Sequence, residues 1–139
     1  MKNLTLRIVS QEKQLLETET DSVSIPTVQG QITVLPGHLP LFAQVQTGEL
    51  IYRFKEQAKS VVVTKGFVDV TPKNEVVVMV DSGTLAEAIS VQQAQQAIQA
   101  AHETMQKTQD QRELILAEAA LRKAMWEIRV AEKTKKSQL

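Results

Sequence analysis

The sequence predicts an α+β protein: an N-terminal antiparallel β-sandwich over residues 1–84, then a C-terminal antiparallel αα-hairpin over residues 85–139. Three observations carry this. Apolar residues recur with period two before Gly83. All five glycines and all four prolines fall between residues 26 and 83. After Gly83 neither occurs again, and alanine and glutamine dominate. Period two places one face of a strand in a core and the other in water, and short strands divided by turn residues suit a sandwich or barrel.

Leu4, Leu6 and Ile8 alternate with Thr5 and Arg7, Val23 and Ile25 with Ser22 and Ser24, and Ile32 and Val34 flank Thr33. Leu50, Tyr52 and Phe54 continue the pattern, and Val76, Val78 and Val80 end a β-branched run. Turn signals stand at Pro26, Gly30, Pro36-Gly37, Pro40, Gly48, Gly66, Pro72 and Gly83.

Ser90 with Gln93 three residues on is a capping-box pattern, which starts a helix near Val91. Ala94, Ala97, Ile98, Ala101 and Met105 then share a face. Asp110 with Glu113 marks a second start, followed by a stripe of Leu114, Ala117, Leu121, Ala124, Ile128 and Ala131 with Met125 beside it. Each helix should run roughly 25 to 35 Å, at about 1.5 Å per residue. The short polar link Lys107–Asp110 favours an antiparallel pair. Alanine buries far less area than leucine, so this seam holds its helices weakly. Detachment of the hairpin and its permanent packing on the sandwich are both open on periodicity alone.

Composition removes several function classes. Sixteen basic residues balance sixteen acidic ones, so charge gives no reason to expect nucleic acid. No cysteine is present to form a disulfide framework or thiolate site. The first residues lack an apolar run suited to a signal peptide, and no stretch of about 18 apolar residues occurs, so membrane association is expected only through another protein. His38 and His102 lack ligand-type spacing, so no metal is expected, and no G-x-S-x-G elbow or phosphate-cradling glycine loop occurs. His38 reads as a turn residue bonding its own loop, or as an interface contact. The basic end, Arg129 to Lys136, reads as a solvated helix terminus or as a site for an acidic surface.

The segment Pro26-Thr27-x-x-Gly30-x-Ile32-x-Val34-Leu35-Pro36-Gly37-His38-x-Pro40-Leu41 resembles the ATP synthase epsilon family's P-T-x-x-G-E-I-G-V-L-P-G-H-A-P-L. The resemblance continues through Gly48-Glu49-Leu50, Lys65-Gly66-Phe67, Val76 to Asp81 and the closing Arg129-Val130-x-Glu132-x-Thr134-Lys135-Lys136. It implies about ten strands followed by two helices, and a non-catalytic rotor subunit without a cofactor in the central stalk of a proton-translocating synthase. The implied partners are the gamma subunit, the c-ring and, in an inhibited state, the catalytic alpha and beta subunits. The implied location is peripheral, on the cytoplasmic face of the bacterial inner membrane.

By that resemblance the Gly30–Leu41 segment, with Gln31, Pro36, Gly37 and His38, is a c-ring-facing edge. Arg122, Lys123, Arg129 and Lys133 would meet acidic groups on the beta subunits and restrain ATP hydrolysis. Three of these four share one helical side, at spacings of seven and four. This sequence departs from the family at Gln31 (usually Glu), at Thr33 (usually Gly) and at Lys65 (usually the first glycine of Gly-Gly-Phe). Two rival functions are an ATP-sensing regulatory module and a β-sandwich adaptor unconnected to rotary enzymes.

The sensor reading generates a direct test. Nucleotide-binding family members carry Ile/Leu-Asp-x-x-Arg-Ala at the start of the first helix, and the matching segment here includes Ile89, Ser90, Gln93 and Ala94. Ser90 can cap the helix, but Gln93 cannot offer a phosphate arginine's charged, bidentate contact. Each lost charge-assisted contact of roughly 1.5–3 kcal/mol weakens affinity by about tenfold or more. Titration calorimetry of the isolated chain with Mg-ATP should therefore show weak or no binding, and micromolar binding would revive the sensor reading.

Overall fold

Ten strands and two helices follow one another along the chain in this computed structural model, which describes residues 3–137. The strands are β1 (Leu4–Val9), β2 (Gln14–Thr20), β3 (Ser22–Thr27), β4 (Gly30–Val34), β5 (Leu41–Val45), β6 (Gly48–Phe54), β7 (Gln57–Val63), β8 (Gly66–Val70), β9 (Glu75–Val80) and β10 (Gly83–Leu85). A 3-10 turn at Ala86–Ala88 precedes α1 (Val91–Lys107) and α2 (Gln111–Ser137). Contacts divide the chain into two units, Met1–Gly83 and Thr84–Leu139.

In the first unit, alternation does what the pattern predicts. Leu4, Leu6, Ile8, Val23, Ile25, Leu50, Val76 and Val78 are withdrawn from water, while Thr5, Arg7 and Arg53 face outward. The strands run in the order β10-β7-β6-β3-β5-β8-β9-β1-β2, with β4 paired to β3 off this path. β2 also lies against β6, so the sheet is nearly closed on itself. β1 pairs antiparallel with β2, β3 with β4, β5 and β6, β5 with β8, β6 with β7 and β8 with β9, whereas β1 and β9 run parallel with Thr5 opposite Glu75 and Val9 opposite Met79. Strands β2, β5, β7 and β8 lie where the sequence shows no clean alternation. β7, for example, is polar and mostly exposed over Gln57–Ser60, then buries Val61, Val62 and Val63 in succession.

Two polar clamps hold corners of this unit. The buried Thr20 hydroxyl donates to the carbonyls of Ser22 and Arg53, and the Asp21 carboxylate accepts from the Lys55 amide at 2.8 Å. These bonds tie the β2–β3 corner to the β6–β7 hairpin. At Thr33, the departure from glycine supplies a hydroxyl 3.1 Å from that of Ser24, its cross-strand partner, which is only 4% exposed.

In the second unit, Ser90 Oγ accepts from the Gln93 amide and starts α1. Asp110 starts α2 by accepting from the Arg112 amide at 2.9 Å. Glu113 does not reach back as a reciprocal box would. Its carboxylate accepts from the Thr108 hydroxyl, while that hydroxyl accepts from the Asp110 amide. The seam buries Ala94 and Ala101 of α1 with Ala117 and Ala124 of α2, and Val130, outside the expected stripe, is buried as well. With 27 residues α2 spans about 40 Å, longer than the sequence suggests. Its interior is rich in Ala, Glu, Lys, Arg and Leu, all strong helix formers, so nothing stops it. The Ala86–Ala88 turn also packs against α2.

Glycine is indispensable at Gly66, not at the preceding position. A Cβ on Gly66 would sit 1.9 Å from the Met79 carbonyl oxygen and 2.7 Å from the Val80 Cα, against the neighbouring strand's backbone. Lys65 has no positive φ, and its carbonyl accepts from the Asp81 amide at 3.0 Å, so a side chain there is accommodated. Gly66→Ala should therefore destabilise the chain by at least about 2 kcal/mol in thermal or urea unfolding. Restoring the family's glycine with Lys65→Gly should cost only about 0.5–1 kcal/mol, through backbone entropy.

Candidate docking surfaces

The Gly30–Leu41 segment is a strand followed by a tight turn. Gly30, at φ 114°, closes the β3–β4 turn, where the Thr27 hydroxyl donates to the Gly30 carbonyl. Gln31 then sits exposed on β4, opposite Pro26. Past Val34 the chain bends through Leu35-Pro36-Gly37-His38, closed by the His38 amide on the Leu35 carbonyl at 3.0 Å. Proline second and glycine third with φ 84° is the type II pattern. The structure thus gathers Pro36, Gly37 and His38 but not Gln31, which lies about 10 Å of strand before Val34, near the opposite turn. His38 is exposed, and its Nδ1 lies 2.7 Å from the Leu39 carbonyl oxygen. Leu35 and Leu39 beside it are 55% and 79% exposed.

A second surface was not read from the sequence. Phe42 on β5 and Phe67 on β8 stack with centroids 5.4 Å apart and planes 17° from parallel, on the outer face of neighbouring strands. Phe67 lies opposite Met79 of β9. The three side chains are 63%, 46% and 37% exposed. Single exposed apolar residues are ordinary, but Phe67 directly opposite Met79 and diagonal to Phe42 makes a patch across three adjacent strands, and such patches mark interaction sites. The available signal was two-phase apolarity in β8, where outward Phe67 and inward Val68 are both apolar.

On α2, Arg122, Arg129 and Lys133 are exposed, and Lys123 is half-buried about 100° round the helix. Arg122 approaches Glu118 only at 3.8 Å, and Arg129 stacks over the Trp126 ring at 4.5 Å. Ile115, Leu116 and Met125 are also exposed. On α1, Ser90 is spent as the cap, Ala94 is buried in the seam, Gln93 is exposed and Ile89 is half-buried. Two open grooves of about 440 and 390 Å³ lie toward the α1–α2 connection, lined by residues such as Thr104, Lys107, Glu113 and Leu116. Neither is lined by Ile89, Ser90, Gln93 or Ala94.

A sandwich with an exposed aromatic patch, followed by a helical pair bearing exposed basic and apolar side chains, has the surface features of a subunit of an assembly. Comparison with known proteins specifies which. Residues 3–86 match the family described as ATP synthase, Delta/Epsilon chain, beta-sandwich domain. The chain is 36% identical over 129 residues to the ATP synthase epsilon chain of Herpetosiphon aurantiacus, covering 93% of this chain and 94% of that one. It is 37% identical over 137 residues to that of Dehalococcoides mccartyi strain BAV1, covering 98% and 97%. The chain belongs to the ATP synthase epsilon family, which removes the reading as an adaptor unconnected to rotary enzymes. The fold is also that of a chain in the Euglena gracilis mitochondrial ATP synthase OSCP/F1/c-ring structure, with TM-score 0.72 and 22% identity over 86% of this chain and 76% of that one. A chain of the Tetrahymena thermophila mitochondrial ATP synthase central stalk/c-ring structure matches with TM-score 0.65 and 12% identity, over 94% and 97%.

Proposed function

We propose that this chain is a non-catalytic rotor subunit of the central stalk, joining the gamma subunit to the c-ring of a proton-translocating bacterial synthase. The observation that carries this is the exposed Phe42–Phe67 stack with Met79, an apolar patch on a fully formed sandwich. A rotor part must transmit torque without yielding, and the gamma subunit covers this patch. The β4 edge, with Gln31 toward one end and Pro36, Gly37 and His38 beyond the other, faces the c-ring. It does so without the carboxylate that the family usually has at position 31. The sandwich of residues 1–84 and the hairpin of residues 85–139 act as separate modules. The hairpin restrains ATP hydrolysis by setting Arg122, Lys123, Arg129 and Lys133 against acidic groups of the catalytic subunits. No helix among the described residues is long and apolar enough to cross a membrane. The subunit sits peripherally on the cytoplasmic face of the inner membrane, held there by its partners.

The patch is tested by the double variant Phe42→Ser, Phe67→Ser. Both side chains are largely exposed, so the far-ultraviolet circular dichroism should match the wild type. Capture by an immobilised gamma subunit should fall by about tenfold or more, as expected for aromatic anchors of an interface. Wild-type capture by the folded variant would refute the assignment.

The hairpin is tested separately. A chain ending near Gly83 should still bind the gamma subunit, and the reconstituted head carrying it should hydrolyse ATP faster. Changing Arg122, Arg129 and Lys133 to alanine should release hydrolysis partially, and the difference from wild type should shrink at high salt, where charge contacts are screened. Wild-type hydrolysis rates in both variants would remove the inhibitory role.

A further inference from the structure

The Leu35–His38 turn is not held by its own sequence alone. The Gly37 amide donates to the Asn74 Oδ1 at 2.8 Å, a bond between residues 37 positions apart. Asn74 itself is fixed twice over. Its backbone lies at φ 60°, closing the β8–β9 connection after Pro72 and Lys73, where the Thr71 amide bonds the Glu75 carbonyl. Its carbonyl accepts from the Thr5 amide at 2.9 Å, at the first rung of the parallel β1–β9 ladder. One half-buried residue thereby joins the start of β1, the β8–β9 connection and the turn after β4.

The bond falls on the atom that decides the turn's form. Types I and II differ by a flip of the central peptide, here Pro36–Gly37, which reverses the direction of the Gly37 N–H. An acceptor fixed in front of that N–H selects type II. Because a trans peptide carries its N–H and C=O on opposite sides, the Pro36 carbonyl is then directed away from Asn74. The residue type fits both demands. Asparagine tolerates a positive φ far better than most residues, and glycine, which tolerates it best, has no acceptor.

We propose that Asn74 is a positioning residue that locks the Pro36–Gly37 peptide in its type II orientation. This lock presents Leu35, His38, Leu39 and the Pro36 carbonyl in one fixed arrangement to the neighbouring rotor component. The lock stands on this structure alone, and its use in docking rests on the rotor reading above. Gln31, on the far side of β4, lies outside its reach.

Two variants of the full chain separate side chain from backbone. Asn74→Gly keeps the positive φ and removes the acceptor, whereas Asn74→Asp keeps an acceptor oxygen in place. Nuclear magnetic resonance of the isolated chain should show the Gly37 amide exchanging at least about tenfold faster in Asn74→Gly, with its shift moved. Asn74→Asp should restore protection. Binding to a gamma–c-ring complex stripped of this chain should weaken by up to about tenfold in Asn74→Gly and recover in Asn74→Asp. Unchanged Gly37 exchange in Asn74→Gly would overturn the lock. Faster exchange with unchanged binding would overturn its role in docking. Failure of the wild-type chain to bind the stripped complex would instead count against the rotor reading, while the exchange result would still decide the lock.

Discussion

The burial of one face of nearly every strand is the constraint from which the candidate docking surfaces take their positions. A strand that puts Val68 and Val70 into the core must put Phe67 and Asp69 outside it, because its side chains alternate. A slip of one residue in β8 would bury Phe67 and expose two core valines, so the register that satisfies the core also fixes the aromatic patch. The same logic fixes Gln31 and Thr33 on the outer side of β4, with Ile32 and Val34 facing inward. Gly66 is part of this constraint. Only a residue without a Cβ lets β8 start close enough to the Met79 backbone for the β8–β9 register to hold.

The two units are built to different standards. Leucine, isoleucine and valine fill the sandwich, whereas among the described residues four of the five buried hydrophobic residues in the helices are alanines. At about 25 cal/mol per Å² of apolar surface, each alanine contributes a small fraction of what a leucine or valine does. Local interactions make up part of the difference, including the Ser90 cap, the Thr108–Asp110–Glu113 hydrogen bonds and the helix-forming composition of α2. The helices are thus individually well specified while the seam between them is thin. A pair that keeps its helices while loosening their mutual contact can change arrangement without unfolding.

Much of the fold was legible because it is written locally. Leu4-Leu6-Ile8 and Val76-Val78-Val80 each declare a strand, and Ser90 declares a helix start. Partners are not written locally. Nothing in Leu4–Val9 says that it pairs in parallel with β9, and the polar half of β7 hides a strand that only pairing with β6 reveals. The candidate docking surfaces divide the same way. Pro36-Gly37-His38 stood out because a tight turn demands those residue types, and the arginines of α2 stood out by spacing. Gln31 and His38 read as one feature because they share a motif, yet the strand between them carries them to different ends. Phe42 and Phe67 went unread because apolarity on an outward position looks like noise until neighbouring strands bring two such positions together. The bond from Gly37 to Asn74 spans 37 residues and leaves no periodic trace.

The stacked phenyl rings also bear on the life of the chain before it meets a partner. An aromatic pair exposed to this degree leaves the free subunit with a surface that water wets poorly and that a second copy can cover. A formal charge of zero supplies no net repulsion to keep copies apart. Self-association of the unassembled chain should therefore rise with its concentration. A cell gains by making the subunit in step with its partners, and a laboratory preparation gains from co-expression or from a pH away from neutrality.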